Sequence, residues 1–152
     1  MRILAKTCVI LAACLVATQQ VQAVDWSKPF VSIAVPQMPV NLGVAIGSGL
    51  QEFKANLTAR VVANCPYQVL VSFDGLQNQV RNVAISPKDM TVAINGKQVP
   101  IGKQRVPIAS GGPTPRGGEK VAVDLQVGVN GSVSYPAGTY CGSLVITVTA
   151  GH

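Results

Sequence analysis

From Val24 onward, apolar residues recur at every second position. The clearest run is Val121, Val123, Leu125, Val127 and Val129, alternating with Ala122, Asp124, Gln126 and Gly128. Successive side chains of a strand point to opposite faces, so this run predicts one face on a core and one toward water. Tyr67, Val69, Val71 and Phe73 repeat the pattern after Pro66, and Met90, Val92 and Ile94 form a shorter version. Asn95-Gly96 follows directly. Both residues tolerate positive φ, so the pair predicts a tight hairpin with residues 97–101 as the returning strand. Asn130-Gly131 predicts a second tight turn, after the Val121 strand. Near the end, Tyr140, Leu144, Ile146 and Val148 share one face, with Ser143, Thr147 and Thr149 on the other. Residues 30–35 and 57–63 are further strand candidates. The stretch 36–49 between them, punctuated by Gly and Pro, reads as loop and edge. Seven to nine short strands, turn signals every 8–12 residues and no useful amphipathic helix predict one all-β domain, a β-sandwich or small barrel.

The first 23 residues follow a different pattern. Arg2 and Lys6 give a positive start, Thr7 to Thr18 is an apolar stretch, and Val21-Gln22-Ala23 fits a small-x-small cleavage site. The expectation is a signal peptide over 1–23 and a mature, exported chain from Val24. The apolar stretch is shorter than the roughly 20 residues a membrane-spanning helix needs. Leu11-Ala12-Ala13-Cys14 also spells a bacterial lipobox, in which Cys14 would be lipidated. The apolar run continues through Leu15, Val16 and Ala17, which favours the ordinary cut.

Composition changes this picture little. The 152 residues suit a single domain. Hydrophobic residues make up 48%, which excludes disorder. The formal charge of +6 falls to +4, ten basic residues against six acidic, once Arg2 and Lys6 leave with the leader. No basic cluster remains, so nucleic acid is not an expected partner. The single histidine is His152, the last residue, which leaves a Ser-His-Asp triad without a placed base. The run from Gly111 to Lys120 lacks the Gly-Lys-Ser/Thr opening a helix that a phosphate loop requires. It reads as a flexible inter-strand loop. Gly43, Gly47 and Gly49 do not form a dinucleotide fingerprint, and the acidic residues are scattered. No catalytic residue, cofactor or metal is assigned.

Cys8 and Cys14 leave with the leader, so the mature chain keeps Cys65 and Cys141. An exported protein with two cysteines is expected to join them. Closing that loop would stabilise the fold by about 4–5 kcal/mol in the chain-entropy model. Zinc-type spacing is absent. By parity, however, Cys141 faces with Ser143 and Thr147, away from the Tyr140/Leu144 face. The bridge would therefore sit at a sheet end or outer face, unless a bulge near Gly142 resets the alternation.

Two segments carry a resemblance. Tyr135-Pro136-Ala137-Gly138-Thr139-Tyr140-Cys141-Gly142-Ser143, continuing through Leu144 to Thr149, resembles the terminal strand of chaperone–usher pilins and of the related spore-coat-U-like domains. Residues 57–76, with Asn64-Cys65-Pro66-Tyr67, are similar to their early cysteine-bearing strand. The resemblance implies an immunoglobulin-like, pilin-type β-sandwich lacking its last strand. Its open edge would be covered first by a periplasmic chaperone and then by the N-terminal extension of a neighbouring subunit, with an outer-membrane usher as a further partner. On that reading residues 24–36 are an N-terminal extension or donor strand, and 37–152 are the sandwich. Trp26, Phe30, Val31, Ile33 and Val35 would meet a partner, while Tyr140, Leu144, Ile146 and Val148 would form part of the acceptor edge. Two alternatives stand beside it. Trp26 and Phe30 also read as an edge strand folded onto its own domain. The whole chain also reads as a self-contained immunoglobulin-like binding or coat domain acting through its loops, with 107–118 as the contact surface. Pilins place both cysteines early, whereas Cys141 lies in the final motif. The implied location is the periplasm in transit, then the bacterial surface or exterior.

Overall fold

The structure, a computed structural model, describes residues 25–35, 49–131 and 135–151. The expected signal peptide and most of the 36–49 stretch lie outside the described residues. Ten strands follow in order: β1 (Val31–Ala34), β2 (Gly49–Ala63), β3 (Tyr67–Phe73), β4 (Gln77–Asn78), β5 (Met90–Ile94), β6 (Lys97–Gln98), β7 (Gly102–Gly111), β8 (Glu119–Gly131), β9 (Tyr140–Cys141) and β10 (Leu144–Ala150). One 3-10 turn (Pro87–Asp89) precedes β5. No helix among the described residues is long and apolar enough to cross a membrane. A five-stranded sheet in the order β1-β2-β8-β5-β6 packs on a three-stranded sheet β10-β3-β7, and β4 pairs with β9 at one end. This is an all-β, immunoglobulin-like sandwich.

The period-two pattern does what it predicts. Val123, Leu125, Val127 and Val129 of β8 are buried, as are Tyr67, Val69, Val71 and Phe73 of β3 and Met90, Val92 and Ile94 of β5. Asn95 (φ 51°) and Gly96 (φ 75°) make the expected hairpin. The spine is the antiparallel β2–β8 ladder, unbroken from Gly49↔Gly131 to Val61↔Glu119. Asn130 and Gly131 therefore belong to a strand and not to the predicted turn, because Leu50 and Gly49 pair with them.

Strand β7 runs against its sequence signals. Pro107 sits in its middle, and the alternation fails around it. Val69 faces Ala109 while the adjacent Leu70 faces Pro107, so Ile108 is an extra residue. A bulge at a proline is tolerated on an edge strand, where the missing N–H faces away from the ladder. The following loop is held, not free. Thr114 is buried; its backbone N–H donates to the Ala63 carbonyl (2.8 Å) and its Oγ1 accepts from the Ala63 N–H (2.9 Å). Gly118 (φ +79°) turns the chain into β8 against the carbonyl of Val61, leaving no room for a Cβ.

Two consequences follow. Ile94 is fully buried, so Ile94→Ala should cost about 2–5 kcal/mol, read as a lower urea midpoint at unchanged m-value. Tyr67 is buried and its hydroxyl donates to the Glu119 carboxylate (3.3 Å). Burial first, then the Glu119 charge and hydrogen bond, push its pKa above the usual tyrosine value. A raised folded pKa gives a contribution that is complete below the unfolded pKa, near 10, and lost as pH rises through the folded one. The stability advantage of wild type over Tyr67→Phe should therefore shrink in unfolding experiments carried above about pH 10.

Candidate functional site

Burial is uneven across the sandwich. Ile94, Val61, Val69, Val71, Val123 and Val127 are sealed. Phe53, Ala55 and Leu57 of β2, Val31 and Ile33 of β1, and Leu144, Ile146 and Val148 of β10 face the same core but are half-buried. These three strands lie at one side. β10 is the outer strand of its sheet, and no strand pairs along its far edge among the described residues. β1 comes alongside β10 without a ladder between them. It covers β2 solely over Arg60–Ala63, so the stretch of β2 below Arg60 has no described partner on that side.

The two edges of the three-stranded sheet differ in chemistry. β7 carries Lys103, Arg105, Pro107 and a bulge, all features that keep a strand edge from pairing. β10 reads LVITVTA, with no charge and no proline, and stays in continuous register with β3 from Leu144↔Phe73 to Ala150↔Tyr67. An edge of that kind is a template for another strand. Leu144, Ile146 and Val148 lie together on the core-facing side of this strand. Tyr140 does not: it belongs to β9, pairs with Asn78 of β4, and its hydroxyl donates to the Pro136 carbonyl (2.8 Å). Gly142 and Ser143 separate the two strands, and at Gly142 the nearby Gly75 carbonyl leaves no space for a Cβ.

The N-terminal residues expected to reach a partner lie against their own chain here. Val31 and Ile33 pair with Ala63 and Val61 of β2. Val35 is half-buried just beyond them. Phe30 packs on Trp26 with ring centroids 6.2 Å apart, and the Arg116 guanidinium lies 5.9 Å from the Trp26 ring centre. In the single chain, residues 25–35 lie along the chain's own β2 and beside the loop that carries Arg116. Asn64, which sequence reading passed over, contacts this segment directly. Its Nδ2 donates to the carbonyls of Trp26 (2.9 Å) and Lys28 (2.6 Å), its Oδ1 accepts from the Phe30 N–H (2.7 Å), and its own N–H donates to the Phe30 carbonyl (3.1 Å). An asparagine between a strand end and Cys-Pro was the available signal.

The disulfide expectation is also corrected. Cys65 and Cys141 are free thiols, the first half-buried and the second exposed. Cys65 precedes Tyr67, which pairs with Ala150, whereas Cys141 precedes Leu144 at the other end of β10. That strand alone separates them by roughly 20 Å, against the ~7 Å between Cα atoms that a disulfide allows. Among the described residues no three His, Cys, Asp or Glu side chains gather into a cluster that could hold a metal.

No protein-family model and no curated protein matches the chain. It is similar to chains in two solved complexes. One is a chaperone–tip adhesin complex of CFA/I fimbriae biogenesis, at 16% identity over 80% of this chain and 42% of that one, with a TM-score of 0.46. The other is the CsuC–CsuE chaperone–tip adhesion subunit pre-assembly complex from archaic chaperone–usher Csu pili of Acinetobacter baumannii, at 20% identity over 78% and 39%, with a TM-score of 0.44. This chain spans about two fifths of the length of those chains.

Because Cys141 is exposed and unbridged, Cys141→Ser should shift stability by no more than about 0.5 kcal/mol. Loss of a bridge would cost several times that. Cys141 should also react with a water-soluble thiol reagent in the folded protein without prior reduction.

Proposed function

We propose that this protein is a structural subunit of a bacterial pilus or similar surface polymer, exported through the leader at 1–23. It is joined to its neighbours by a strand added along β10, without catalysis. The observation that carries this reading is the coincidence, on one side, of a strand edge with no described strand paired along it and a half-buried core face. A bare edge alone would supply ladder hydrogen bonds with no specificity. Half-buried Leu144, Ile146 and Val148 supply the second element, since an incoming strand with alternating apolar residues would cover them. Completing the burial of each is worth roughly 1 kcal/mol, about half of a full side-chain transfer.

The same geometry supports a role for a periplasmic chaperone; an outer-membrane usher enters this reading through the family resemblance alone. Until a neighbour arrives, β10 would expose both backbone groups and apolar side chains, and a chaperone strand would satisfy both. Only the receiving half of strand exchange is proposed; residues 25–35 are engaged at home.

The test is thermal unfolding with a synthetic strand peptide of alternating valine and threonine. Wild type should gain stability with peptide concentration, reaching about 2.7 kcal/mol at a hundredfold excess over Kd. Ile146→Lys should abolish the gain. Val145→Lys, on the outer face where Val145 is 42% exposed, should retain it. No concentration-dependent gain in wild type would overturn the reading in favour of a self-contained binding domain.

A further inference from the structure

We infer that Asn64 is a latch holding residues 25–35 on their own chain, so that this protein takes up a strand along β10 without surrendering its own N-terminal strand. The second clause rests on the function proposed above; the latch itself does not.

Four hydrogen bonds converge on this one residue, and they occupy the Trp26 and Lys28 carbonyls and both backbone groups of Phe30. Those are the groups a free arm would need for pairing with another molecule. Upstream of Phe30 the arm is not extended at all. The Lys28 N–H donates to the Asp25 carbonyl (3.1 Å), and the Ser27 hydroxyl and N–H both donate to Asp25 Oδ1 (2.6 and 3.1 Å). The Ser27 hydroxyl, then its amide, hold the Asp25 carboxyl below the usual carboxylate range. Pro29 brings no N–H.

The opposite wall of the arm is fixed as well. Arg116, over the Trp26 ring, belongs to the loop that Thr114 ties to Ala63 and whose Gly117 carbonyl accepts from Arg60 Nε (2.5 Å). Segment 60–64 therefore grips the arm directly and through this loop. β1 itself is four residues long, and a pairing so short is marginal alone. Tethering raises the effective concentration of the arm to about the millimolar range, and the Asn64 amide adds what the short ladder lacks. Choice between the arm's own chain and a neighbouring one is thus set at a position outside the ladder.

The chain contains one tryptophan, so Trp26 reports on the arm directly. The experiment is acrylamide quenching of Trp26 together with hydrogen exchange by mass spectrometry on the full protein and Asn64→Ala. Wild type should show intermediate quenching, Trp26 being 38% exposed, and protected amides at 31–34. In Asn64→Ala, quenching should rise at least twofold and exchange at 31–34 at least tenfold, with β8 protection unchanged. Unchanged quenching and exchange in the variant would overturn the latch, as would unprotected amides at 31–34 in wild type. Should Asn64→Ala lose β8 protection too, the isosteric Asn64→Asp decides. It keeps the acceptor for Phe30 and removes the donors to Trp26 and Lys28, so faster exchange confined to 25–35 supports the latch and no change overturns it. None of these readouts involves β10, so failure here leaves strand uptake standing, and failure of strand uptake leaves the latch standing.

Discussion

The β2–β8 ladder is the constraint on which everything else hangs. Its register runs without a shift from Gly49↔Gly131 to Val61↔Glu119. Since side chains alternate, that register decides in one stroke that Val61, Val123, Leu125 and Val127 face inward and Arg60, Lys120 and Lys54 outward. A slip of one residue would turn the whole core face to solvent. β5 docks on the far side of β8 in the register Met90↔Val129 to Ile94↔Leu125, and β1 docks on the near side of β2. The three-stranded sheet then closes over a surface already fixed.

The two sides of that spine are finished differently. On the far side β6 is two residues long and lysine-bearing, and β7 is bulged and charged, so both outer edges are blunted. On the near side β1 comes alongside β10, but no described strand pairs along its free edge, which has no charge, proline or bulge. A sandwich with proline, charge and a bulge in β7 and none of them in β10 is built asymmetrically. The asymmetry coincides with the half-buried row of Phe53, Ala55 and Leu57.

Strands with a continuous inward face were legible in the sequence. β3, β5 and β8 need no more than the period-two pattern, and the Asn95-Gly96 hairpin no more than turn chemistry. β7 was not legible, because its bulge at Pro107 breaks the period and proline argues against a strand. The first half of β2 was missed because, of its inward positions Gln51, Phe53 and Ala55, Phe53 is the one strongly apolar side chain, too little to show a period. Leu144, Ile146 and Val148 were readable as one face. The home of Val31 and Ile33 was not, since a strand that pairs within its own chain and one that pairs with a neighbour have the same pattern. Asn64 decides between them through side-chain hydrogen bonds, which leave no periodic trace. The cysteines misled for a related reason: pairing depends on which end of the sandwich each occupies, and counting gives no positions.

The pairing of distant segments has a further consequence, for time. Val71 finds Ile146 and Ala55 finds Leu125, so neither sheet forms until most of the chain is present. Folds dominated by such non-local pairs take milliseconds to seconds to assemble, because loop closure precedes any reward in contacts. A chain delivered from its N-terminus presents β3 well before β10, and without β10 the central strand β3 is itself an edge. During that interval Val69 and Val71, sealed in the finished protein, belong to the exposed surface. The period of greatest vulnerability therefore precedes folding, and a helper that recognises strand edges would have its largest target then.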